Sequence, residues 1–455
     1  MKLLFRWILE IALLCLVYAR RSSKFKCPHP FEILPCQCYT HPWERIECFD
    51  VLNFDIVREA LREHHKPVPT LWIKNIYTSE IPRYTFRDML IKELIIDDSS
   101  IEQIHGDAFY GYHRIKILAL EEDKLVEFPI EAIKRLPLLF SLSLAGNSIK
   151  KITDLSFTRC RRLKILKLEN NLISSIDRNS FPGTLVQLSL ANNLIASLNG
   201  SLTHLSNLSF LSLGHNRLHS VKDDLKGLSQ LMRLSLERNS IVNIQGSFDD
   251  LLNLTFLNLA HNNLEEVENG LRRLKKLEHL DISHNNITKI DGMFSKDLSG
   301  LDALNLSGNR LKNICELLQP FKVLRKLRLS NMSIKSIGKD CFKKMRKLEI
   351  LDLSKNQLKK IGAVTRPLFP RLLILDLHQN RLETISYGLK NLKNLEKLDI
   401  GYNNFRTIRK KDFMRSNKLI NFRISGNLWD CSSSSLLKIF KEFGRRMKIL
   451  GAPRC

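Results

Sequence analysis

The sequence lacks the short motifs that identify the common classes of enzyme. It contains no nucleophile motif, no cluster of ligating residues at metal-binding spacing and no glycine-rich loop that could cradle a phosphate. Isolated carboxylates without a partner base or nucleophile are a weak sign of catalysis. We therefore expect a non-enzymatic protein that has no catalytic residue, cofactor or metal site.

Long apolar runs are also absent beyond the N-terminus. Residues 1–19 place two basic residues before an apolar run that begins at residue 11 and is too short to span a bilayer. The run ends in the acceptable cleavage sequence Val-Tyr-Ala, so we expect residues 1–19 to be a secretory signal peptide. No later segment is apolar enough to cross a membrane, and no hydrophobic tail precedes Cys455. The expected mature protein is soluble, secreted and extracellular, with no transmembrane segment.

The dominant feature that is present is a repeat with the pattern L-x-x-L-x-L-x-x-N-x-L. It recurs every 22–24 residues, and one copy consists of Leu277, Leu280, Ile282, Asn285 and Ile287. The fifteen copies begin at Ile91, Ile115, Leu139, Leu163, Leu185, Leu208, Leu231, Leu254, Leu277, Leu301, Leu324, Leu348, Leu372, Leu395 and Leu419. A degenerate sixteenth copy precedes them around Val68, Leu71 and Ile73. The pattern predicts a leucine-rich repeat protein, an architecture that favours recognition over catalysis.

The chemistry of the repeat predicts an α/β repeat solenoid, a horseshoe of about 16 repeats with disulfide-bonded N- and C-terminal caps. Apolar residues at positions 4 and 6 flank an outward residue, as in a strand with one buried face. Asn at position 9 has a donor and an acceptor, so it can satisfy buried backbone groups of its own turn and of the adjacent repeat. Twelve copies have this Asn, and Ser99, Asp123 and Met332 replace it in the others. Met332 cannot form these hydrogen bonds, so the eleventh of the fifteen copies should be locally weaker.

The predicted domains follow from these features. They are a signal peptide at 1–19, a cysteine-rich N-terminal cap at 20–66, leucine-rich repeats at 67–428 and a reduced C-terminal cap at 429–455. Aromatic residues at position 19 of some repeats, such as Phe109 and Phe342, are expected to fill the back of the turns.

The cysteines agree with an oxidising, extracellular compartment. Cys27, Cys36, Cys38 and Cys48 precede the repeats and resemble the N-terminal cap of extracellular leucine-rich repeat proteins. That resemblance implies the pairs Cys27–Cys38 and Cys36–Cys48. The sequence N-L-W-D-C at 427–431 similarly resembles the start of a C-terminal cap, here reduced to one bond between Cys431 and Cys455.

Three further cysteines remain in the expected mature chain. Cys315 and Cys341 occupy positions 15 and 18 of successive repeats, so they either form a disulfide across the convex side or are small buried residues. Cys160 is either a small buried residue or a free or intermolecular thiol. A count of free thiols in the denatured protein tests the assignment, and a count of zero in a monomer would contradict it.

Asn-x-Ser/Thr sequons are candidate glycosylation sites in a secreted protein. They occur at Asn199, Asn207, Asn253, Asn286, Asn305 and Asn331. Asn305 falls at an outward strand position on the expected concave sheet. A glycan there would obstruct a ligand in the middle of that face.

Residues 27–150 resemble a narrower group of secreted proteins. The resemblance is carried by the Cys-Pro…Pro-Cys-x-Cys cap, a helix-like insert at 55–65, Ile81-Pro82-x3-Phe86, Ile104-x3-Ala108-Phe109-x-Gly111, Phe128-Pro129 and Leu136-Pro137. These features are similar to those of secreted arthropod proteins named after the non-catalytic leucine-rich repeat subunit of a decapod luciferase. The resemblance implies an accessory binding subunit with no chemistry of its own.

The outward residues of the sheet are expected to form the recognition surface. The first two repeats present an acidic corner of Glu93, Asp97, Asp98, Glu121 and Glu122. In repeats 6 to 9, stacking in register would place His261 beside His284, near enough for a metal ion or a pH response. The alternative is that His-Asn is a common filling of positions 8 and 9. Position 5 carries an Asp column, which we interpret as a variant of the strand and not as catalytic acids: Asp281, Asp352, Asp376 and Asp399.

Charge is distributed unevenly along the chain, whose net charge is +25. Residues 321–455 hold 32 Lys/Arg against 10 Asp/Glu, whereas residues 20–320 hold 38 against 36. Many of these basic residues are predicted on turns and on the convex side: Lys343, Lys344, Arg346, Lys347, Lys359, Lys360, Arg409, Lys410 and Lys411. Cationic clusters attract polyanions over about 8 Å at physiological salt. The pattern predicts binding to an extracellular polyanion, and the alternative is that the lysines maintain solubility.

The leading functional hypothesis is a secreted recognition or adhesion protein that binds an extracellular protein or glycan. Sulfated glycosaminoglycan, acidic microbial envelope and acidic protein are candidate polyanions, whereas nucleic acid is not an expected partner of a secreted protein. One alternative is a non-catalytic accessory subunit of a secreted enzyme. Another is an innate-immune pattern-recognition factor.

Overall fold

The computed structural model describes residues 25–451, except for residues 63, 65, 112–113, 268, 291–295, 313, 339, 362–368, 386–388, 390–391 and 414–415. The contacts divide the chain into two compact units, Met1–Leu172 and Ile173–Cys455. The predicted signal peptide at 1–19 and Cys455 lie outside the described residues.

The first unit is organised around a sheet whose strands follow the order of the chain. The strands of this unit are β1 (Gln37–Tyr39), β2 (Arg45–Phe49), β3 (Val68–Lys74), β4 (Glu80–Ile81), β5 (Ile91–Asp97), β6 (Gln103–Ile104), β7 (Ile117–Glu121), β8 (Ser141–Ser143), β9 (Lys151–Ile152) and β10 (Ile165–Lys167), of which β4, β6 and β9 lie outside the main sheet. β1 is antiparallel to β2, and β2, β3, β5, β7, β8 and β10 then pair in parallel. On the returning side of the repeats, β4 pairs with β6.

Short helices accompany this sheet. A 3-10 helix covers Pro30–Glu32, α1 covers Phe54–Ala60 and α2 covers Ile130–Ile133. α1 begins after Asn53 because the Asn53 side chain accepts hydrogen bonds from the backbone N–H groups of Asp55 (3.0 Å) and Ile56 (3.2 Å). Phe54 and Val57 of this helix are buried, so the insert covers the core next to the cap.

The second unit contains the remaining strands, nearly all of them three residues long. They are β11 (Ser175–Ile176), β12 (Gln187–Ser189), β13 (Phe210–Ser212), β14 (Arg233–Ser235), β15 (Phe256–Asn258), β16 (His279–Asp281), β17 (Ala303–Asn305), β18 (Lys326–Arg328), β19 (Ile350–Asp352), β20 (Ile374–Asp376), β21 (Lys397–Asp399), β22 (Asn421–Arg423) and β23 (Lys448–Leu450). From β12 to β23, each strand pairs in parallel with the next. The second unit also has α3 (Ile314–Leu318), a 3-10 helix (Lys410–Asp412) and α4 (Ser434–Gly444).

Burial along the strands follows the predicted period of two. In β16, for example, the central Leu280 is 2 % exposed, while His279 and Asp281 on either side are half-buried. The position-19 aromatics Phe109 and Phe342 are buried, and Phe109 stacks on Phe86 with ring centroids 5.6 Å apart. Most of the three-residue strands therefore contribute their middle residue to the core and leave their flanking residues for the open face of the sheet.

The position-9 asparagines form the expected hydrogen-bond ladder. Asn216 accepts from the backbone N–H of Ile195 (3.0 Å) in the preceding repeat and donates to the backbone carbonyl of Leu190 (2.9 Å). It also donates to the carbonyl of Leu213 in its own repeat (3.1 Å). The same set of bonds recurs along the ladder, so these buried amides join each repeat to the one before it.

At Met332, where the repeat has no asparagine at position 9, the asparagine of the next repeat makes part of the missing hydrogen bonds. The Met332 side chain is buried, and its backbone N–H donates to Asn356 Oδ1 of the next repeat (3.1 Å). Asn356 accepts at the same time from the backbone N–H of Ile334 (3.0 Å). One asparagine therefore serves two backbone donors, and the local weakness predicted for this repeat stays a prediction.

Disulfides hold the N-terminal cap and one pair of repeats in the second unit. Cys27 is bonded to Cys38 and Cys36 to Cys48, as the resemblance implied. Cys315 is bonded to Cys341, which settles the alternative left open by their positions. Cys431 is disulfide-bonded, and its expected partner Cys455 lies outside the described residues. The protein is thus a leucine-rich repeat solenoid with about 16 repeats and disulfide-bonded ends.

Candidate functional site

Parallel pairing in register turns equivalent positions of successive repeats into columns on the open face of the sheet. In the middle of the second unit, the position-3 column consists of Phe256, His279, Ala303, Lys326 and Ile350. The position-5 column beside it consists of Asn258, Asp281, Asn305, Arg328 and Asp352. A small residue in such a column leaves a hollow between its larger neighbours.

A depression of about 140 Å³ opens at Ala303, the smallest side chain of this stretch. Phe256 and His279 line it on the side of the preceding strands, and Lys326 and Arg328 line it on the side of the following strand. We call it the Ala303 depression. The repeat pattern alone does not reveal it, because the hollow depends on comparing residues between strands instead of along the chain.

The acidic groups around the Ala303 depression already have partners. Arg325 lies 3.5 Å from an Asp302 oxygen and 3.2 Å from a Glu349 oxygen. Asp281 accepts from the backbone N–H and hydroxyl of Ser283 and, through its other oxygen, from the Asn305 amide at 2.8 Å. These carboxylates are therefore not free to neutralise a cation on the opposite side of the hollow.

The basic side of the Ala303 depression is less fully paired. Lys326 is half-buried and Arg328 is exposed, and among the described residues neither forms an ion pair with an acid. On the other side, burial lowers the pKa of His279, although Asp302 and Glu278 oppose the shift. His279 is therefore neutral at physiological pH, and the Arg233 guanidinium covers Phe256 at 4.2 Å from the ring centroid. The hollow combines an aromatic wall with a cationic wall.

His261 and His284 are neighbours, as the register predicted. Their rings are stacked with centroids 4.3 Å apart and planes within 9°. The lone pairs of an imidazole lie in the ring plane, so two parallel rings cannot direct them at one ion. Both residues have a positive φ, 56° and 53°, a conformation in which Asn, Asp and His are enriched. The backbone thus explains the histidines at position 8, and among the described residues no cluster of three or more ligating side chains is arranged for a metal ion.

The acidic corner of the first unit is partly neutralised. Lys74 lies 2.6 Å from Asp98, and the Trp72 indole N–H donates to Asp97 at 2.9 Å. Burial raises the pKa of the Asp97 carboxyl group, and the Trp72 hydrogen bond and Lys74 oppose that shift. Glu93 accepts from the Thr70 hydroxyl at 3.0 Å. The corner therefore presents its remaining charge through Glu121 and Glu122.

One member of the Asp column has an unusual environment. Asp376 stands between Asp352 and Asp399 in register. Burial raises the pKa of Asp376 to about 6, and the two neighbouring carboxylates add to the shift while the backbone N–H of His378 opposes it. The column is flanked by Arg328 and Arg423, which occupy the same position on the outer strands. His378 lies beside the column, with Nδ1 3.4 Å from an Asp399 oxygen and its backbone N–H bonded to Asp376. Our interpretation of the column as a variant of the strand stays a prediction.

The nine basic residues singled out from the sequence are all exposed, but they do not form a single cluster. Lys343, Lys344, Arg346 and Lys347 lie on the turns that lead into β19, whereas Lys359 and Lys360 follow the opposite end of that strand. Arg409, Lys410 and Lys411 belong to the turn around the second 3-10 helix. Lys343 pairs with Asp340 and Lys410 with Glu442. Within the part of the chain that the structure describes, Lys344, Arg346, Lys347, Lys359 and Lys360 have no ion pair.

The sequons differ in how their side chains are placed. Asn199, Asn207, Asn286 and Asn331 are exposed, whereas Asn253 and Asn305 are half-buried. The Asn305 amide is engaged with Asp281 and lines the Ala303 depression. Glycosylation stays a prediction, and the exposed sequons are the ones whose side chains are most open to it.

Cys160 is a buried free thiol in the first unit. Burial raises its pKa to about 11, so the reactive thiolate is scarce at physiological pH. The first unit also has an open hollow of about 720 Å³ between successive turns, lined among others by Glu102, Glu127 and Glu131. No described helix is both long and apolar enough to cross a membrane.

Comparison with protein families identifies the class of the chain. A leucine-rich repeat model matches residues 211–264, 266–314 and 322–382, and a model of the BspA-type leucine-rich repeat region matches residues 79–210. Together they match more than half of the chain, in agreement with the repeats seen in the structure. The chain belongs to the leucine-rich repeat proteins.

Several known proteins are similar to parts of the chain. Rat lumican is 36% identical over 122 residues, which cover 26% of this chain and 35% of lumican. Bovine keratocan is 30% identical over 184 residues, which cover 40% of this chain and 45% of keratocan. The matches thus span less than half of these relatives' length.

Solved structures share the fold at low sequence identity. A leucine-rich repeat protein of Leptospira interrogans has a TM-score of 0.71 at 22% identity, covering 88% of this chain and 92% of that protein. A chain of the Drosophila Toll–Spatzle complex has a TM-score of 0.63 at 16% identity, covering 84% of this chain and 61% of that one. These likenesses concern the fold alone.

Proposed function

We propose that this is a secreted, non-enzymatic recognition or adhesion protein whose C-terminal third binds an extracellular polyanion. The observation that carries the proposal is the set of exposed basic side chains without ion pairs among the described residues, Lys344, Arg346, Lys347, Lys359 and Lys360. The charge of a cation without an ion pair is not neutralised by an acid of the protein, so it can attract an anionic ligand. Salt screens this attraction over about 8 Å under physiological conditions. Sulfated glycosaminoglycan has the charge density and the extracellular location that this surface requires.

Three further features support an extracellular binding role. Disulfides close the N-terminal cap and a pair of later repeats, as expected in an oxidising compartment. Parts of the chain are similar to lumican and keratocan. The repeat architecture presents a long row of outward residues whose identity does not affect the core, which suits recognition.

Heparin-affinity chromatography tests the proposal with a matched pair of variants. The triple variant Lys344→Gln, Arg346→Gln and Lys347→Gln removes three unpaired charges from the turns before β19. The control Lys150→Gln, Lys222→Gln and Lys289→Gln removes three exposed charges from the near-neutral part of the chain. We expect the first variant to elute at clearly lower salt than the control. Equal elution of the two variants would show that net charge alone, and not this surface, holds the polyanion.

The resemblance of residues 27–150 to the non-catalytic subunit of a luciferase favours a second function, that of an accessory subunit of a secreted enzyme. The cap, the insert that contains helix α1 and the motifs between Ile81 and Pro137 carry this resemblance. Co-purification from the native secretion with a second chain that holds the enzymatic activity would support it. Binding to intact microbial surfaces would instead support an innate-immune pattern-recognition factor.

A further inference from the structure

The Ala303 depression contains an unsatisfied cation. Lys326 occupies position 3 of β18, and its register neighbours on the two adjacent strands, Ala303 and Ile350, carry no charge. Its side chain is half-buried, and among the described residues no acid forms an ion pair with it. Lys326 and Arg328 both line the hollow, so an anion that enters it can contact two cations directly.

The rest of the lining combines apolar groups with Asn258, Asn305 and Asp281, and the Asn305 amide donates to the Asp281 carboxylate at 2.8 Å. Ala303 and Leu304 form part of the lining, and Phe256 and the neutral His279 ring border it. By liquid volume, the hollow holds roughly four or five waters, and burying an apolar stem in their place is favourable. A ligand that matches the hollow therefore has a short apolar stem and an anionic tip, with aromatic groups beside it.

We infer that the Ala303 depression binds a glutamate side chain from an acidic, aromatic-containing segment of a partner protein. The stem lies on Ala303, and the carboxylate meets Lys326 and Arg328. An adjacent aromatic side chain packs against Phe256 and His279. This site is separate from the polyanion surface proposed above, because it lies on the face of the sheet and not on the turns.

The same columns supply variants that the fold tolerates. Ala303→Phe fills the hollow with a residue that already occupies this column at Phe210 and Phe256. Lys326→Ile removes the charge with a residue found at Ile350 and Ile374. Lys397→Ile makes the same change at position 3 of β21, away from the hollow, and serves as the matched control.

The experiment measures fluorescence anisotropy of a fluorescein-labelled Tyr-Glu-Tyr-Glu-Tyr peptide, with Tyr-Gln-Tyr-Gln-Tyr as the neutral control. We expect the wild type and Lys397→Ile to bind the acidic peptide equally and the neutral peptide much more weakly. Lys326→Ile should weaken binding about ten-fold through the loss of a charge-assisted hydrogen bond. Ala303→Phe should abolish binding, while the thermal unfolding midpoint of each variant shows that it is folded.

Three results overturn the inference. These are no binding of the acidic peptide to the wild type, equal binding of the neutral peptide, and undiminished binding to folded Ala303→Phe. A heparin oligosaccharide that binds the wild type but not Ala303→Phe, with no peptide bound, would assign the hollow to a sulfated glycan instead. Heparin elution should be unchanged in Ala303→Phe, so failure here and failure of the polyanion proposal are distinguishable.

Discussion

Replacing Asp123 with asparagine should stabilise the first unit at neutral pH. Asp123 stands at position 9 of its repeat and is 6 % exposed, and neither of its carboxyl oxygens has a hydrogen-bond partner of good geometry. In the next repeat, Asn147 uses its amide N–H groups to donate to the carbonyls of Leu120 (2.8 Å) and Leu144 (3.2 Å). A carboxylate at this position has no N–H group with which to make the corresponding bonds, and burial disfavours its charge.

The Asp123 carboxyl group holds its proton to a higher pH than an exposed aspartate does. Burial raises the pKa of Asp123 to about 7. The backbone N–H groups of Ile101 and Ser99 approach it and oppose the shift, and the nearby Asp97 and Asp98 add to it. A neutral carboxylic acid can donate one hydrogen bond, as the amide of asparagine does.

The size of the effect follows from the difference between the folded and unfolded pKa. Well below the unfolded pKa of 3.8 the group is neutral in both states, so it does not change the free energy of unfolding. As the pH rises, the unfolded chain ionises first and stability falls until the folded group also ionises near pH 7. About three pH units at about 1.4 kcal/mol each give a loss of about 4 kcal/mol at and above pH 7.

Urea unfolding of wild type and Asp123→Asn between pH 4 and 8 measures this loss. Trp72 lies in the same unit and its indole contacts Asp97, so tryptophan fluorescence reports on this region. The difference in unfolding free energy should be small at pH 4 and should rise to about 4 kcal/mol in favour of the variant at pH 7. The reverse change, Asn147→Asp, should destabilise the unit by a similar amount with the opposite pH dependence. A difference that stays constant from pH 4 to 8 would refute the reasoning.

Three further predictions concern other positions of the ladder and the core. Asp376→Asn should stabilise the second unit above pH 6 by no more than about 3 kcal/mol, because burial raises the pKa of this carboxyl group to about 6. The stabilisation should disappear well below the unfolded pKa of 3.8, and urea unfolding as a function of pH measures it. Asn356→Ala should lower the free energy of unfolding by about 1 kcal/mol more than Asn380→Ala, since Asn356 accepts two backbone N–H groups and Asn380 accepts one; a smaller loss for Asn356 would contradict the account of Met332. A thiol assay on the denatured protein without residues 1–19 should find one thiol, Cys160, which should react slowly in the native state; a count of zero or of three would contradict the disulfides described.

The fold could be predicted from the sequence because nearly every copy of the repeat has the same pattern of apolar and asparagine positions. Leucines at positions 4 and 6 have the two-residue spacing of a strand with one buried face. Asparagine at position 9 indicates a buried turn whose backbone needs both a hydrogen-bond donor and an acceptor. Each copy repeats the same requirement, so the departure at Met332 does not obscure it. The sequence alone does not decide whether Cys315 and Cys341 are bonded, because it places two cysteines in neighbouring turns without fixing the distance between their side chains.

The candidate site could not be predicted in the same way, because it depends on differences between neighbouring strands. Ala303 is unremarkable along the chain, and it creates a hollow only because His279 and Lys326 are larger and lie in register on either side. The environment of Asp376 likewise depends on Asp352 and Asp399, which are more than twenty residues away in sequence. Both features become visible only when positions 3 and 5 are compared from one repeat to the next.

The two proposed surfaces should respond differently to salt, because their cations are exposed to solvent to different degrees. Lys344, Arg346 and Lys347 are exposed on turns, so their attraction for a polyanion acts through water and is screened within about 8 Å at physiological salt. Lys326 is half-buried between uncharged neighbours, where screening is weaker and a carboxylate must make direct contact. A partner that carries both a sulfated chain and an acidic segment would therefore lose the first contact as salt rises and keep much of the second. The leucine ladder makes this division possible, since it fixes the inward positions and leaves the turns and the face of the sheet free to carry separate binding chemistry.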